Sequence, residues 1–407
     1  MTTAVADLEL PKLEYQDAEL KGPRFQEEMR ELRERSWLAR VDPVGFAVLD
    51  REAAAHFLRS RSLTFPGRKM LEVQGVTSGP LYERFKGNLL DLDGDDHRRL
   101  RKLVQPAFSP AATDRHRPAM QLYLDALYGA AAATGGRCDA VEAFAQPYPA
   151  MMIAHVMGAP IEDAGRLHEW ANYIQQQFDP IKVATQLDKI EAAALEFQDY
   201  TWELLRARQG DPRDDLISEL IAAEEEGDRL TEEECVHLVS AVLVGGVDTT
   251  QSQLAHGLLL FARHPDQWRM LADDPSLATQ AVEEVLRFEP ITPFTARITL
   301  EDVEYRGVTF PKDTVVIAAA VTANRDPEAY AEPESFDITA DRDRSKPLTF
   351  GAGPHFCLGA ALARAELQEA FAYLAPRMRD LELVGEPAFD TPFGVYGMES
   401  LPIRWTP

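Results

Sequence analysis

The chain has 407 residues, 45% hydrophobic and 27% charged, with a formal net charge of −25. That length buries a large core, and the composition is that of a globular protein. The acidic excess excludes nucleic acid as a partner, since nothing offsets phosphate repulsion. The polar, acidic first residues carry neither the apolar core of a signal peptide nor a membrane anchor, so a cytoplasmic protein with no membrane partner is expected.

No linker, low-complexity break or internal repeat divides the sequence, so residues 1–22 read as an N-terminal arm and 23–407 as a single domain. In chain order, apolar periodicity predicts a helix over 23–38 and short strands over 41–49. Helices are then expected over 51–60, 95–109, 113–133, 140–157, 162–177, 184–209, 213–226, 231–263, 265–273 and 275–288. Residues 296–321 switch to strand chemistry, with 303–310 as one strand and turns at Glu301-Asp302 and Pro311-Lys312-Asp313. An irregular, proline-bearing stretch covers 324–350, a last helix 358–376, and short strands lie near 381–384 and 401–405. The fold class is mainly α, an α+β arrangement with a small β-rich region set to one side.

Four places along this chain carry chemistry. Against the acidic background, His97-Arg98-Arg99-Leu100-Arg101-Lys102 is an island of positive charge. The helix over 231–263 opens on the capping box Thr231–Glu234. It then spends two adjacent glycines, Gly245 and Gly246, which cost roughly 1 kcal/mol each relative to Ala. Asp248 follows in an apolar stretch, where an unpaired charge is expensive. Such a segment widens locally to admit a small ligand, with the Thr249 hydroxyl free to bond the Gly245 carbonyl and bend the helix. Glu284 and Arg287 stand at i and i+3 on one helix face.

The fourth place is Phe350-Gly351-Ala352-Gly353-Pro354-His355-Phe356-Cys357-Leu358-Gly359. It sets one thiol at a glycine-permitted turn before a strong helix pattern, where backbone N–H groups and the helix dipole favour thiolate. The other cysteines, Cys138 and Cys235, are far away in sequence and form no CxxC or disulfide framework.

Taken together, these motifs resemble the cytochrome P-450 family, the haem-thiolate monooxygenases, from about residue 45 to the end. The resemblance implies a large helical bundle around haem b, with Cys357 as the iron ligand in a loop that includes Phe350, Gly351 and Gly359. The ligand chemistry itself is a known property of that family. It implies that His97, Arg101, Arg297 and His355 hold the propionates, whose carboxylates suit cationic donors. Thr249 would stabilise the oxygen species beside the iron and Asp248 would relay protons from solvent.

The pair Glu284–Arg287 would be buried and clamp the segment leading to the Cys loop. Its usual third, basic partner has Ser335 in its place, with Arg325 or Arg342 as substitutes. The substrate pocket would draw on 70–92, 165–182, Ala241, Val244, Gly245, Phe294, Thr295 and the tail near Phe393 and Val395. No decisive polar anchor stands out between residues 67 and 94. The expected reaction inserts one atom of dioxygen (O2) into an apolar organic substrate, free or carrier-bound. Electrons would come from a separate ferredoxin and ferredoxin reductase, docking at Arg98, Arg99 and Lys102. A peroxide-using relative and a non-catalytic haem-thiolate sensor are the rival readings; the first commonly lacks the acid–alcohol pair.

Overall fold

A computed structural model describes residues 2–225, 227–342 and 345–407. Their contacts divide the chain into two compact units.

The first unit comprises Met1–Gly67, Glu283–Cys357 and Phe389–Tyr396. Its main sheet runs in the order Leu38–Val41, Gly45–Val48, Val315–Ala319, Phe294–Thr299, Leu63–Thr64. Val315–Ala319 pairs parallel with Gly45–Val48 and antiparallel with Phe294–Thr299, which sets Val316 opposite Arg297 and Ala319 opposite Phe294. All residues of that strand are buried. A β-branched, apolar run belongs in a sheet centre.

The helix Arg51–Arg59 is capped by Asp50, whose carboxylate accepts from the Ala53 N–H at 2.7 Å. Its Ala53, Phe57 and Leu58 join Val48, Phe310 and Val316 in one core. The N-terminal arm is docked: Thr3–Ala4 pairs with Val308–Phe310, and Val5 is buried. The strand expected over 303–310 is instead a hairpin. Arg306 and Gly307 turn it with φ of 48° and 76°, the left-handed pair that a tight two-residue turn requires.

The second unit comprises Arg68–Val282, Leu358–Ala388 and Gly397–Pro407, and it is mostly helical. The expected 231–263 helix is two helices, Glu232–Gly246 and Asp248–Arg263, divided at Val247 with φ −84° and ψ −72°. The Thr231–Glu234 capping box is formed. A Cβ on Gly246 would lie 2.4 Å from Ile153 Cδ1, so this glycine lets Pro147–Met157 approach.

The helix expected over 140–157 begins as a π turn, Val141–Ala145, before Pro147–Met157, because Pro147 has no N–H to continue the ladder. The 184–209 helix starts earlier, at Pro180, and kinks at Gln186. The 213–226 helix shortens to Leu216–Ala222, and its expected last residue, 226, lies outside the described residues. Two short helices, Arg68–Val73 and Pro80–Phe85, fill a stretch where none was expected. Among the described residues, no helix is long and apolar enough to cross a membrane.

Candidate active site

In the first unit, the Cys loop is fixed from both ends. Asn324 accepts from the Leu348 N–H at 2.7 Å and donates to Thr349 Oγ1 at 2.9 Å. The Thr349 hydroxyl in turn donates to the Leu286 carbonyl at 2.6 Å. Gly351 and Gly353 have φ of 69° and 74°. At Gly353 a Cβ would fall 2.7 Å from the Leu58 carbonyl oxygen, so a side chain is barred twice over. The loop closes when the Cys357 N–H donates to the Phe350 carbonyl at 2.9 Å.

Cys357 is exposed, whereas Cys235 is buried and Cys138 half-buried. Burial pushes the thiol of Cys138 up to about 11 and that of Cys235 up to about 12, so both remain protonated at neutral pH. Cys357 is the thiol open to a ligand. Phe350 and Phe356 stand beside it with ring centroids 6.3 Å apart.

The clamp behind this loop is buried. Arg287, fully buried, forks onto Glu284 through Nε and Nη2, both at 2.7 Å. Its remaining N–H groups donate to the carbonyls of Asn324, Pro333 and Ser335. The basic third partner is Arg342, whose Nη2 lies 3.3 Å from Glu284 Oε1. Arg325 is used elsewhere, bonding Glu334 and the Phe288 carbonyl. Ser335 thus enters the network through its backbone carbonyl rather than its side chain.

In the second unit, the paired helices Glu232–Gly246 and Asp248–Arg263 bury nearly all their length, yet Gly245 is exposed and Ala241 and Thr249 half-exposed. At i, i+4 and i+8 these three form one uncovered stripe. The Thr249 hydroxyl donates to the Gly245 carbonyl, and a Cβ at Gly245 would meet nothing within 4 Å. Val244 is buried beside the stripe.

Asp248 is 6% exposed, and its Oδ1 has no hydrogen-bond partner among the described residues. Burial pushes its carboxyl up to about 7, so it exchanges a proton near neutrality.

Of the four expected propionate donors, His97 and Arg297 are buried, and Arg101 and His355 half-buried. His97 and Arg101 share a face of Gly94–Val104, while Arg297 sits in Phe294–Thr299. Gly359 precedes the helix Ala360–Leu374 with φ −81°; it needs no glycine for its backbone and leaves open space where a Cβ would be.

Along the expected docking island, Arg98 and Lys102 are exposed; Arg98 pairs with the exposed Asp95, and Arg99 is held by Glu234 and Asp228. Phe294 and Phe393 stack with centroids 5.3 Å apart and planes 7° off parallel. Thr295 and Val395 are half-buried nearby in the same unit. Within 67–94, where no decisive polar anchor stands out in the sequence, Arg84 is a half-buried cation bonded at 2.7 Å to Gln177. Its partner lies 93 residues away, beyond any local pattern.

Within each unit the residues present suit haem: in the first, the Cys357 thiol is uncovered in its loop and Arg297 and His355 supply basic side chains; in the second, His97 and Arg101 share a helix face and the Ala241–Gly245–Thr249 stripe is uncovered. The comparisons agree. The family model for cytochrome P-450 matches residues 48–375. The chain is 37% identical over 404 residues to luteothin monooxygenase of Streptomyces thioluteus, covering 98% of this chain and 96% of that one.

The solved structure of CalO2 superposes with a TM-score of 0.89 at 31% identity, covering 98% of this chain and 100% of its own. That of P-450BioI, in complex with hexadec-9Z-enoic acid ligated acyl carrier protein, gives 0.87 at 31% identity, covering 93% and 98%. On the loop, the broken helix and these matches, the chain belongs to the cytochrome P-450 family, and it is a haem-thiolate monooxygenase.

Proposed function

We propose that Cys357 is the axial thiolate of haem b, and that the reaction inserts oxygen into an apolar organic substrate lined by Phe294 and Phe393. The observation that carries this is the exposed Cys357 thiol, held in a loop that Gly351, Gly353 and Asn324 make rigid. Bound haem supplies reductive activation of dioxygen, one oxygen atom going to the substrate and the other leaving as water.

The chain's own residues do the rest. His97, Arg101, Arg297 and His355 neutralise the propionates. Glu284, Arg287 and Arg342 hold the loop's approach in place. Thr249 uses its hydroxyl on the Gly245 carbonyl to open the helix, and presents that hydroxyl to the uncovered stripe. Asp248 takes up and releases a proton close to neutral pH.

Electrons come from a ferredoxin and its reductase, approaching Arg98 and Lys102 in the cytoplasm. Residues 23–407 act as one haem domain, with 1–22 as an arm. The acid–alcohol pair favours dioxygen chemistry over peroxide use.

Substituting Cys357→His tests the assignment. The variant should still bind haem but lose the red-shifted carbon monoxide band of the reduced form. Survival of that band would remove Cys357 as the ligand.

A further inference from the structure

Arg84 stands in the last turn of the short helix Pro80–Phe85, and no carboxylate among the described residues answers its charge. Its Nη2 donates to Gln177 Oε1 at 2.7 Å, and its Nε is sealed from solvent with no acceptor. The neighbouring Glu83 is taken by Lys86, and Glu191 accepts the Leu81 backbone N–H at 3.0 Å. Burial alone pulls the guanidinium down to about 10. The Arg84 charge also reaches His237, whose imidazole is lowered chiefly by burial, with Glu233 and a hydrogen bond to Gly87 pulling the other way.

A guanidinium even partly taken out of water without a counter-charge is costly, and removing one often stabilises a protein. Gln177, buried and neutral, orients the fork without satisfying it. Phe85, in edge contact with Phe178 at 6.5 Å, adds an apolar flank. The fork geometry of Arg is suited to a planar anion bound through two N–H groups.

Arg84 also lies beside the oxidising wall. A Cβ on Gly87 would sit 2.8 Å from His237 Nδ1, which brings this segment against the helix Glu232–Gly246. His237 precedes Ala241 by one turn and Gly245 by two, so the place where this segment meets the helix lies roughly 6 Å from Ala241 and roughly 12 Å from Gly245 along the helix axis.

We propose that Arg84, oriented by Gln177, binds the carboxylate of the substrate, which is an elongated amphiphilic acid taken as the free acid and oxidised far from its head group. This rests on the reading of Ala241, Gly245 and Thr249 as the wall facing the reacting carbon, and it narrows the substrate class of that site.

The test is calorimetric titration of haem-loaded protein with dodecanoate and with methyl dodecanoate, for wild type, Arg84→Met and Arg84→Gln, with a melting curve of each ligand-free protein. The wild type should bind the acid about ten- to hundredfold tighter than the ester, the worth of a hydrogen-bonded charge. Both variants should lose that preference, keep the ester affinity and melt no lower than wild type, because an uncompensated charge has gone.

Equal binding of acid and ester by the wild type would overturn the proposal, and so would a preference that persists in both variants. Lower melting of both variants with ligand preference intact would make Arg84 a structural residue. The thiolate carbon monoxide band of each protein separates the two readings: intact bands alongside a failed preference sink the carboxylate site and leave Cys357 standing.

Discussion

At the scale of single residues, the sequence announced its chemistry where function contradicts local stability. Gly245, Gly246 and Asp248 are poor choices for a buried helix, and Cys357 sits between glycines where a packing cysteine has no reason to be. Asp248 converts that conflict into a measurable pH dependence. Its unfolded carboxyl ionises near 3.8 and its folded one near 7. Between those values the folded chain holds a proton that the unfolded chain has lost, so stability falls as pH rises through that window. The cost is fully present above the folded value and absent below about 4, and a shift of this size corresponds to roughly 4 kcal/mol. Asp248→Asn should therefore be more stable than the wild type at pH 8, by a few kcal/mol, and equal to it near pH 4. Denaturant unfolding at both pH values checks this. A stability difference that does not vary with pH would mean that the carboxyl ionises normally.

At the scale of elements, the Glu284 network shows what a sequence pattern carries and what it omits. The i, i+3 spacing identified Glu284 and Arg287 as a pair. Nothing in the spacing revealed that Arg287 also donates to the carbonyls of Asn324, Pro333 and Ser335, or that Arg342 supplies the second cation. Such contacts are set by chain crossings 37 to 58 residues apart. The same limit explains the other differences. Long periodic helices were readable because periodicity is local. The break at Val247 was hidden by an apolar pattern that continues through it, and the hairpin at Arg306-Gly307 was hidden because Arg rarely takes positive φ. The short helices Arg68–Val73 and Pro80–Phe85 span fewer than two turns, too short for a period to register.

The network also predicts unequal consequences. Arg287→Ala leaves Glu284 buried beside a half-exposed loop with several carbonyls unanswered, so it should cost about 3–5 kcal/mol or prevent folding. Arg342 reaches the same carboxylate from a site that is 13% exposed, and Glu284 keeps its bidentate partner without it. Arg342→Ala should cost about 1 kcal/mol. Chemical denaturation of both variants tests the ranking, and equal losses would show that the carboxylate needs both cations.

At the scale of the whole molecule, charge governs how an electron donor arrives. A net charge of −25 would repel an acidic electron donor at long range, while the proposed docking cations Lys102 and Arg98, the latter paired with the exposed Asp95, would attract it at short range. The two effects screen differently. The Debye length is about 30 Å at 0.01 M salt and about 8 Å at 0.15 M, so moderate salt removes the global repulsion first and leaves the local attraction largely in place. Reduction by an acidic ferredoxin, followed by stopped flow, should speed up from very low to moderate ionic strength and slow again at high salt. Changing Arg98 and Lys102 to Gln should abolish the high-salt decline and lower the maximum. Arg99 should behave otherwise, because two carboxylates, Glu234 and Asp228, hold its partly buried side chain, whereas the pair of Arg98 with Asp95 is open to solvent and screened. Arg99→Gln should shift the melting temperature and leave the salt profile in place. A rate that declines identically with salt in the double variant would place the donor on another face, and a flat profile in the wild type would mean that the chain's charge plays no part in the encounter.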